Sequence, residues 1–212
     1  MNLLRTDIKS ILLVLIALGL SGGELFSQST FRAHENSRLW IEGRSNVNTF
    51  ECMAQEYIAE AILPEIQNQQ IDEAELPEVN IEDNVTITVG IKVDGFECGR
   101  SRMNRDLKEA LNSDEFPEIT FTLRNATALT IPENIEDGFE LEVEGSLTVA
   151  GVTREITFQS QGYYMSDGRI RAIGSKSIKM SDFNVEPPTA LLGLVKAEDE
   201  LNVRFDLIGV EN

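Results

Sequence analysis

The stretch RDLKEALNSDEFPEITF, residues 105–121, combines two different periodicities. Its first half, with the residues just before it, places apolar side chains at i, i+4, i+7 and i+8, which is one face of a helix. These apolar positions are Met103, Leu107, Ala110 and Leu111. Asn112 is an acceptable end for such a helix, and Pro117 prevents it from continuing into the strand that follows. The stretch therefore predicts a short amphipathic helix whose apolar face must cover something.

Most of the chain around this helix has the pattern of β-strands. Apolar and polar residues alternate strictly, so that each strand has one apolar and one solvated face. The alternating segments are residues 84–93, 119–123, 139–149 and 201–207. Tight turns containing glycine separate consecutive segments, as at Ala150-Gly151. Regular antiparallel strands with such turns predict a sandwich or a barrel rather than a parallel α/β sheet.

The N-terminal residues have the order of a secretory signal peptide. Arg5 and Lys9 precede the apolar run ILLVLIALGL, residues 11–20, and small and polar residues follow it. The run is shorter than the roughly 20 residues of a membrane span, and an uncleaved signal anchor is the alternative. We expect a signal peptide over residues 1–28, cleaved between Gly23 and Ser29, and a mature domain over residues 29–212. The mature protein would then be periplasmic or secreted, with no stable membrane span.

The chain is strongly acidic, with a formal net charge of −18. Such a charge excludes nucleic acid as an expected partner. Residues 51–83 contain ten acidic residues and no Lys or Arg. Near their start, AQEYIAEAIL (residues 54–63) is either helical or extended. The glycine spacing of an EF-hand calcium loop is missing. We therefore predict a solvated acidic insertion at about residues 53–83.

The two cysteines and the single histidine limit the chemistry that the chain can perform. Cys52 and Cys98 are expected to form a disulfide in an exported protein, although a metal pair or two free thiols are alternatives. His34 is the one histidine, and no nucleophile elbow, phosphate loop, dinucleotide pattern or two-His metal motif occurs. We predict no catalytic residue, no metal and no cofactor. An enzyme using paired carboxylates is the least supported alternative.

Several segments together resemble the YceI-like family of polyisoprenoid-binding, lipocalin-like exported bacterial proteins. The resemblance rests mainly on RDLKEALNSDEFPEITF and LTVAGVTREITF, with SRLWIEGRSNVNTF before them and SIKMSDFNVEPPTALLGLVKAEDELNVRFDL after them. It implies an all-β fold, an eight-stranded antiparallel barrel against which the amphipathic helix packs, holding a long apolar chain. The acidic segment and the Cys52/Cys98 pair depart from the simplest form of the family.

These observations predict an exported protein that binds an isoprenoid or another amphiphilic lipid inside the barrel, for transport, storage or sequestration. The candidate ligand-binding residues are Ile87, Val89, Leu107, Leu111, Phe121, Leu141, Val143, Phe158 and Phe205. Arg100, Arg102 or Arg105 would meet a head group. The segment ALLGLV, residues 190–195, either plugs the core or lines a cavity mouth. The alternative function is an interaction module with a filled barrel, whose acidic segment binds a basic partner or a cation; a homodimer is left open.

Overall fold

The computed structural model describes residues 28–64, 85–130, 132, 137–190 and 193–211. Within these ranges the chain forms twelve strands, one α-helix and two short 3₁₀ helices. The strands are β1 (Gln28–Ala33), β2 (Arg38–Ser45), β3 (Thr49–Ala54), β4 (Tyr57–Pro64), β5 (Thr86–Lys92), β6 (Phe96–Glu97), β7 (Glu118–Ala128), β8 (Phe139–Val149), β9 (Val152–Tyr164), β10 (Ile170–Lys179), β11 (Thr189–Ala190) and β12 (Val195–Glu211). The helix α1 spans Ser101–Leu111, and the 3₁₀ helices span Val93–Gly95 and Met180–Phe183.

The strands form eight staves, three of which each consist of two consecutive strands, and the barrel closes because the first stave pairs with the last. β1 and β2 both pair antiparallel with β12, β4 and β3 pair with β1 and β2, and β5 and β6 pair with β4 and β3. β7, β8, β9, β10 and β12 continue as an antiparallel meander. The pairs Phe31–Glu211 and Leu39–Phe205 join the first stave to the last. The predicted eight-stranded antiparallel barrel is confirmed.

The turn between β8 and β9 is the tight hairpin that the sequence predicts. Ala150 and Gly151 both have positive φ, 47° and 74°, and they connect the paired residues Val149 and Val152. Two consecutive left-handed residues are typical of the type I′ turn, whose twist matches that of the flanking strands. A Cβ at Gly151 would lie 2.5 Å from the Phe116 ring, so the turn also packs closely against the segment that follows α1.

The helix α1 lies where the sequence predicts it. It ends at Leu111, and Asn112 takes the left-handed conformation with φ 50° while its N–H donates to the carbonyls of Lys108 and Glu109. The apolar face packs onto the main hydrophobic core, with Leu111 buried and the other three apolar residues partly buried. The apolar face of the helix therefore covers one end of the barrel.

The first part of the predicted acidic insertion belongs to the barrel. Residues 53–54 complete β3, and most of AQEYIAEAIL forms β4, in which Tyr57 pairs with Ile91. The remainder, residues 65–83, lies outside the described residues, as does the predicted signal peptide except for Gln28. In the part of the chain that is described, no helix has the length and hydropathy needed to cross a membrane.

Candidate functional site

An apolar cavity of about 670 Å³ lies between α1 and the end of the barrel. Its helix side consists of the apolar face that the sequence identified: Met103, Leu107, Ala110 and Leu111. The opposing wall consists of inward-facing residues from six staves. These include Leu39, Ile41, Ile91, Ile119, Leu147, Val149, Ile178, Leu201 and Val203. The 3₁₀ helix after β10 adds Met180 and Phe183, so the space is enclosed by hydrocarbon on most sides.

A disulfide forms part of the cavity wall and fixes its edge. Cys52 in β3 and Cys98, three residues before α1, are bonded to each other, and both line the cavity. Asn104 in the first turn of α1 accepts a hydrogen bond from the Cys98 N–H at 2.8 Å and donates one to Glu97 at 2.9 Å. The predicted disulfide is confirmed, and it ties the start of the helix to the barrel wall.

Glycines on the inward face allow aromatic rings to lie flat against the wall. Phe50, which lines the cavity, packs directly over its cross-strand partner Gly43, leaving no room there for a Cβ. Phe205 lies in the same way over Gly174, where a Cβ would come within 2.5 Å of the ring. A ring held against the strand takes up less of the barrel interior than one that points to its centre, so these glycines help to keep the space open.

The mouth of the cavity is formed by the β2–β3 hairpin, the residues at the start of α1 and the segment before β12. Three charged side chains stand at it, Arg100, Arg102 and Asp106, whereas Glu51 contributes only backbone because its side chain shares the outer face with its cross-strand partner Glu42. Arg102 and Asp106 form an ion pair along the helix at 3.6 Å. The charges are confined to the rim, whereas the interior is apolar, which is the arrangement of a site for a long hydrocarbon chain with a polar end.

Comparison with known proteins places this architecture in a family. The family model of the YceI-like domain matches residues 65–208. The chain belongs to the YceI-like family. Protein YceI of Salmonella arizonae is 30% identical over 127 residues, which is 57% of this chain and 61% of that protein. The match thus covers less than two thirds of the length of this relative.

Solved structures share the fold at low sequence identity. A polyisoprenoid binding domain from Saccharophagus degradans, implicated in plant cell wall breakdown, superposes with a TM-score of 0.64 at 12% identity, covering 88% of this chain and all of that domain. BcnA from Burkholderia cenocepacia superposes with a TM-score of 0.59 at 19% identity, covering 82% of this chain and 96% of BcnA. In this YceI-like protein, β1 to β4 precede the residues matched by the family model and complete the barrel.

The structure places the predicted ligand-binding residues in two groups. Leu107 and Leu111 line the cavity. The other seven described candidates are outside its lining: Ile87, Val89, Phe121, Leu141, Val143, Phe158 and Phe205. Phe121 pairs with Leu147, and Phe205 pairs with Leu39, both of which line the cavity, so the two rings face inward. Phe158 contacts both rings with centroid distances of 5.8 Å. These aromatic residues lie outside the cavity lining, and their role in binding stays a prediction.

The three arginines considered for a head group are also separated. Arg100 and Arg102 line the mouth of the cavity. Arg105 points away, with 65% of its side chain exposed, and pairs with Glu109 one turn farther along the helix. Of ALLGLV, Val195 lines the cavity and Leu194 is exposed, while residues 191–192 lie outside the described part of the chain.

Sequence reasoning missed several residues that line the cavity, notably Phe50, Met180 and Phe183. The glycine opposite Phe50 in the β2–β3 hairpin is a signal that could have identified it, because a glycine in a strand often accommodates a neighbouring ring. Met180 and Phe183 belong to the segment SIKMSDFNVEPP, whose significance lay only in the family resemblance. No periodicity distinguishes a residue in a short 3₁₀ helix that folds back over a barrel end.

Ionic contacts on the outer wall join β12 to both of its neighbours. Asp206 accepts two hydrogen bonds from the Arg171 guanidinium, both at 2.8 Å, and Arg38 lies 3.9 Å away. The hydrogen bonds from Arg171 hold the pKa of Asp206 below its ordinary value. On the next pair of strands, Glu42 accepts from the Trp40 indole and from Arg204, and these bonds lower the pKa of Glu42. Both carboxylates stabilise the closure of the barrel and face away from the cavity.

The described residues do not bring together a group of three or more His, Cys, Asp or Glu side chains that could hold a metal ion. His34 lies in the turn between β1 and β2, where its Nδ1 accepts a hydrogen bond from the Asn36 N–H at 3.2 Å. His34 is not one of the described residues that line the cavity.

Proposed function

We propose that this YceI-like protein is an exported, non-enzymatic binder of a long apolar chain, an isoprenoid or a similar amphiphilic lipid. The observation that carries the proposal is the 670 Å³ cavity, lined mainly by hydrocarbon and charged only at its rim. Its volume falls within the range of roughly 300–1,000 Å³ found for sites that bury a small organic ligand. An eight-stranded barrel is also the size that can hold one such ligand.

The chemistry of the lining favours hydrocarbon over a polar ligand. Each methylene that leaves water for such a space contributes about 0.8 kcal/mol. The interior side chains lack groups that would reward hydroxyls or amides, so the free energy of binding would come from chain length. At the mouth, Arg100 and Arg102 can donate to oxygen atoms of a polar end group while Asp106, which pairs with Arg102, limits the net positive charge. This arrangement suits a neutral or weakly anionic oxygen-bearing head group.

Two further observations support the proposal. The domain from Saccharophagus degradans that shares the fold is described as polyisoprenoid-binding. The open cavity also argues against the alternative of a filled barrel that acts only through its acidic segment. An exported carrier would protect a water-insoluble chain between the membrane where it is made and the place where it is used.

The proposal can be tested by blocking the cavity from the helix side. The probe is all-trans-retinol, a fluorescent isoprenoid alcohol, added from ethanol and followed by its fluorescence. Ala110→Trp places an indole in the cavity, and we expect at least about a tenfold loss of affinity because a side chain then occupies the space of the ligand. The control is Glu109→Trp on the same helix, at a side chain that is 71% exposed, and it should bind as the wild type does. Equal affinity of all three proteins would contradict the assignment of the cavity as the site.

A further inference from the structure

Two strongly exposed aliphatic side chains lie on adjoining loops beside the mouth of the cavity. Val47 is 65% exposed at the tip of the β2–β3 hairpin, and Leu194 is 74% exposed just before β12. In the described part of the chain, the large hydrophobic residues that are exposed are Val47, Ile58, Leu129 and Leu194. Single exposed aliphatic residues are ordinary, but two beside one opening of an apolar cavity indicate an interaction surface.

The two loops that carry these residues are joined by hydrogen bonds. The side-chain amide of Asn46 donates to the Leu194 carbonyl at 2.9 Å, and its oxygen accepts from the Lys196 N–H at 3.0 Å. The backbone N–H of Asn46 donates to the Lys196 carbonyl at 3.1 Å. Asn46 thus locks the hairpin that carries Val47 onto the segment that carries Leu194.

The hairpin tip is also fixed internally. The Ser45 hydroxyl donates toward Asn48 and accepts from the N–H groups of Val47 and Asn48. The polar groups of the tip are therefore satisfied within the protein, and Val47 is presented to solvent by a defined turn. These hydrogen bonds do not require either aliphatic side chain to be exposed to solvent.

The exposed pair is continuous with the interior of the cavity. Val47 itself lines the mouth, and so do Pro188 and Val195 on the opposite side. An apolar path thus leads from the outside of the protein, past Val47, to the hydrocarbon lining. We call Val47 and Leu194 with the Asn46 contact between them the rim platform.

The charge around the mouth differs from that of the whole protein. The chain carries a net charge of −18. The charged side chains at the mouth are Arg100, Arg102 and Asp106; Arg102 and Asp106 pair with each other, which leaves one net positive charge there. An apolar rim with a single positive charge is compatible with a zwitterionic lipid surface, whereas the rest of this acidic molecule is repelled by anionic surfaces.

We propose that the rim platform docks the mouth of the cavity onto the surface of a zwitterionic lipid bilayer, so that a lipid passes between bilayer and cavity without crossing water. The inference rests on the proposed function, because the bilayer is the place where a water-insoluble ligand resides. Val47 and Leu194 would enter the interfacial region while the rim stays at the level of the head groups. Each aliphatic side chain that leaves water there raises the equilibrium constant for docking by about tenfold or more.

The test uses the full mature protein and vesicles of phosphatidylcholine, with all-trans-retinol as the probe. The rim variant is Val47→Asp with Leu194→Asp. The matched control is Ile58→Asp, because Ile58 is 65% exposed, as Val47 is, but lies in β4 on the barrel wall. Flotation with vesicles that lack retinol measures docking alone. Uptake of retinol from vesicles measures transfer, and binding of retinol added from ethanol measures the cavity.

We expect the rim variant to lose at least about tenfold in flotation and in the rate of vesicle uptake, while it binds retinol from ethanol as the wild type does. The Ile58→Asp control should match the wild type in all three measurements. If the aspartates prevent folding, the variant Val47→Ser with Leu194→Ser, which adds no charge, should show the same pattern to a smaller extent.

Other outcomes separate the two proposals. Equal flotation and uptake by wild type and rim variant, with binding from ethanol intact, would overturn docking at the rim and leave the lipid site standing. Flotation by the wild type without retinol binding by any route would support docking and overturn the lipid site. A wild type that sediments as a dimer and becomes a monomer in the rim variant would show that the platform covers a second copy, and would overturn docking to a bilayer.

Discussion

Removing the disulfide by Cys52→Ser with Cys98→Ser should lower both the stability of the barrel and the affinity of the cavity for its ligand. The bond closes a loop between cysteines that are 46 positions apart, and the chain-entropy account gives about 4 kcal/mol for a loop of that length, as an upper figure. The bond also holds the segment before α1 against β3, and both sulfurs belong to the cavity wall. The variant should therefore lose stability and also lose affinity for retinol.

The expected loss of stability is large enough to measure without ambiguity. For a domain of this size, 1 kcal/mol shifts the midpoint of thermal unfolding by roughly 2–4 °C, so the full effect would be a decrease of about 8–16 °C. Urea unfolding would give the free energy directly. Wild type treated with a reductant should behave as the double variant does, which controls for the two serines.

Two results would refute this reasoning. An unchanged midpoint in the double variant would mean that the bond does not constrain the unfolded chain. A lower midpoint in the variant with no change in the reduced wild type would assign the effect to the serine side chains. Retinol affinity reports separately on the cavity, because a global loss of stability leaves the affinity of the folded fraction unchanged.

Two other substitutions probe the barrel wall. Gly174→Val should destabilise the protein by about 2 kcal/mol or more in urea unfolding, because its Cβ would lie 2.5 Å from the Phe205 ring and 3.3 Å from the Gln159 carbonyl oxygen. The control is Gly90→Ala, whose Cβ would meet open space. Its free energy of unfolding should be within about 0.5 kcal/mol of that of the wild type. Asp206→Asn should cost about 1 kcal/mol at neutral pH. Because Arg171 lowers the folded-state pKa of Asp206, the wild type gains this stability above the ordinary carboxyl pKa of about 4 and loses it as the pH falls through the lower folded value. The difference between wild type and variant should accordingly shrink in urea titrations from pH 7 to pH 2, and a difference that stays constant would contradict the role given to the ion pair.

The regular parts of the fold follow from the sequence because their patterns are local. The period-2 alternation of residues 84–93 and 139–149 predicts β5 and β8, and the spacing from Met103 to Leu111 predicts α1. The strand β4 was ambiguous for a physical reason. AQEYIAEAIL is rich in alanine and glutamate, which favour helix, and it becomes a strand because pairing with β1 and β5 outweighs that local preference.

The position of the cavity could not be predicted in the same way. Alternation shows that Val89, Phe121 and Phe205 face inward, but it does not show how far along the barrel each one lies. That height depends on the tilt and register of the strands, which are properties of the closed barrel. The residues Ile91, Ile119 and Val203, each two positions away on the same face, line the cavity instead. Leu107 and Leu111 line the cavity because the helix packs at that end of the barrel, and their role in binding stays a prediction.

The central claim is that the mature protein carries a long apolar chain in the cavity beneath α1. The most direct measurement is mass spectrometry of an organic extract from protein purified from a host that exports it, with Ala110→Trp prepared in parallel. The account predicts a long-chain species in near-stoichiometric amount in the wild type and much less of it in the variant. A wild-type extract free of such a species, from protein that is folded and has its disulfide intact, would contradict it.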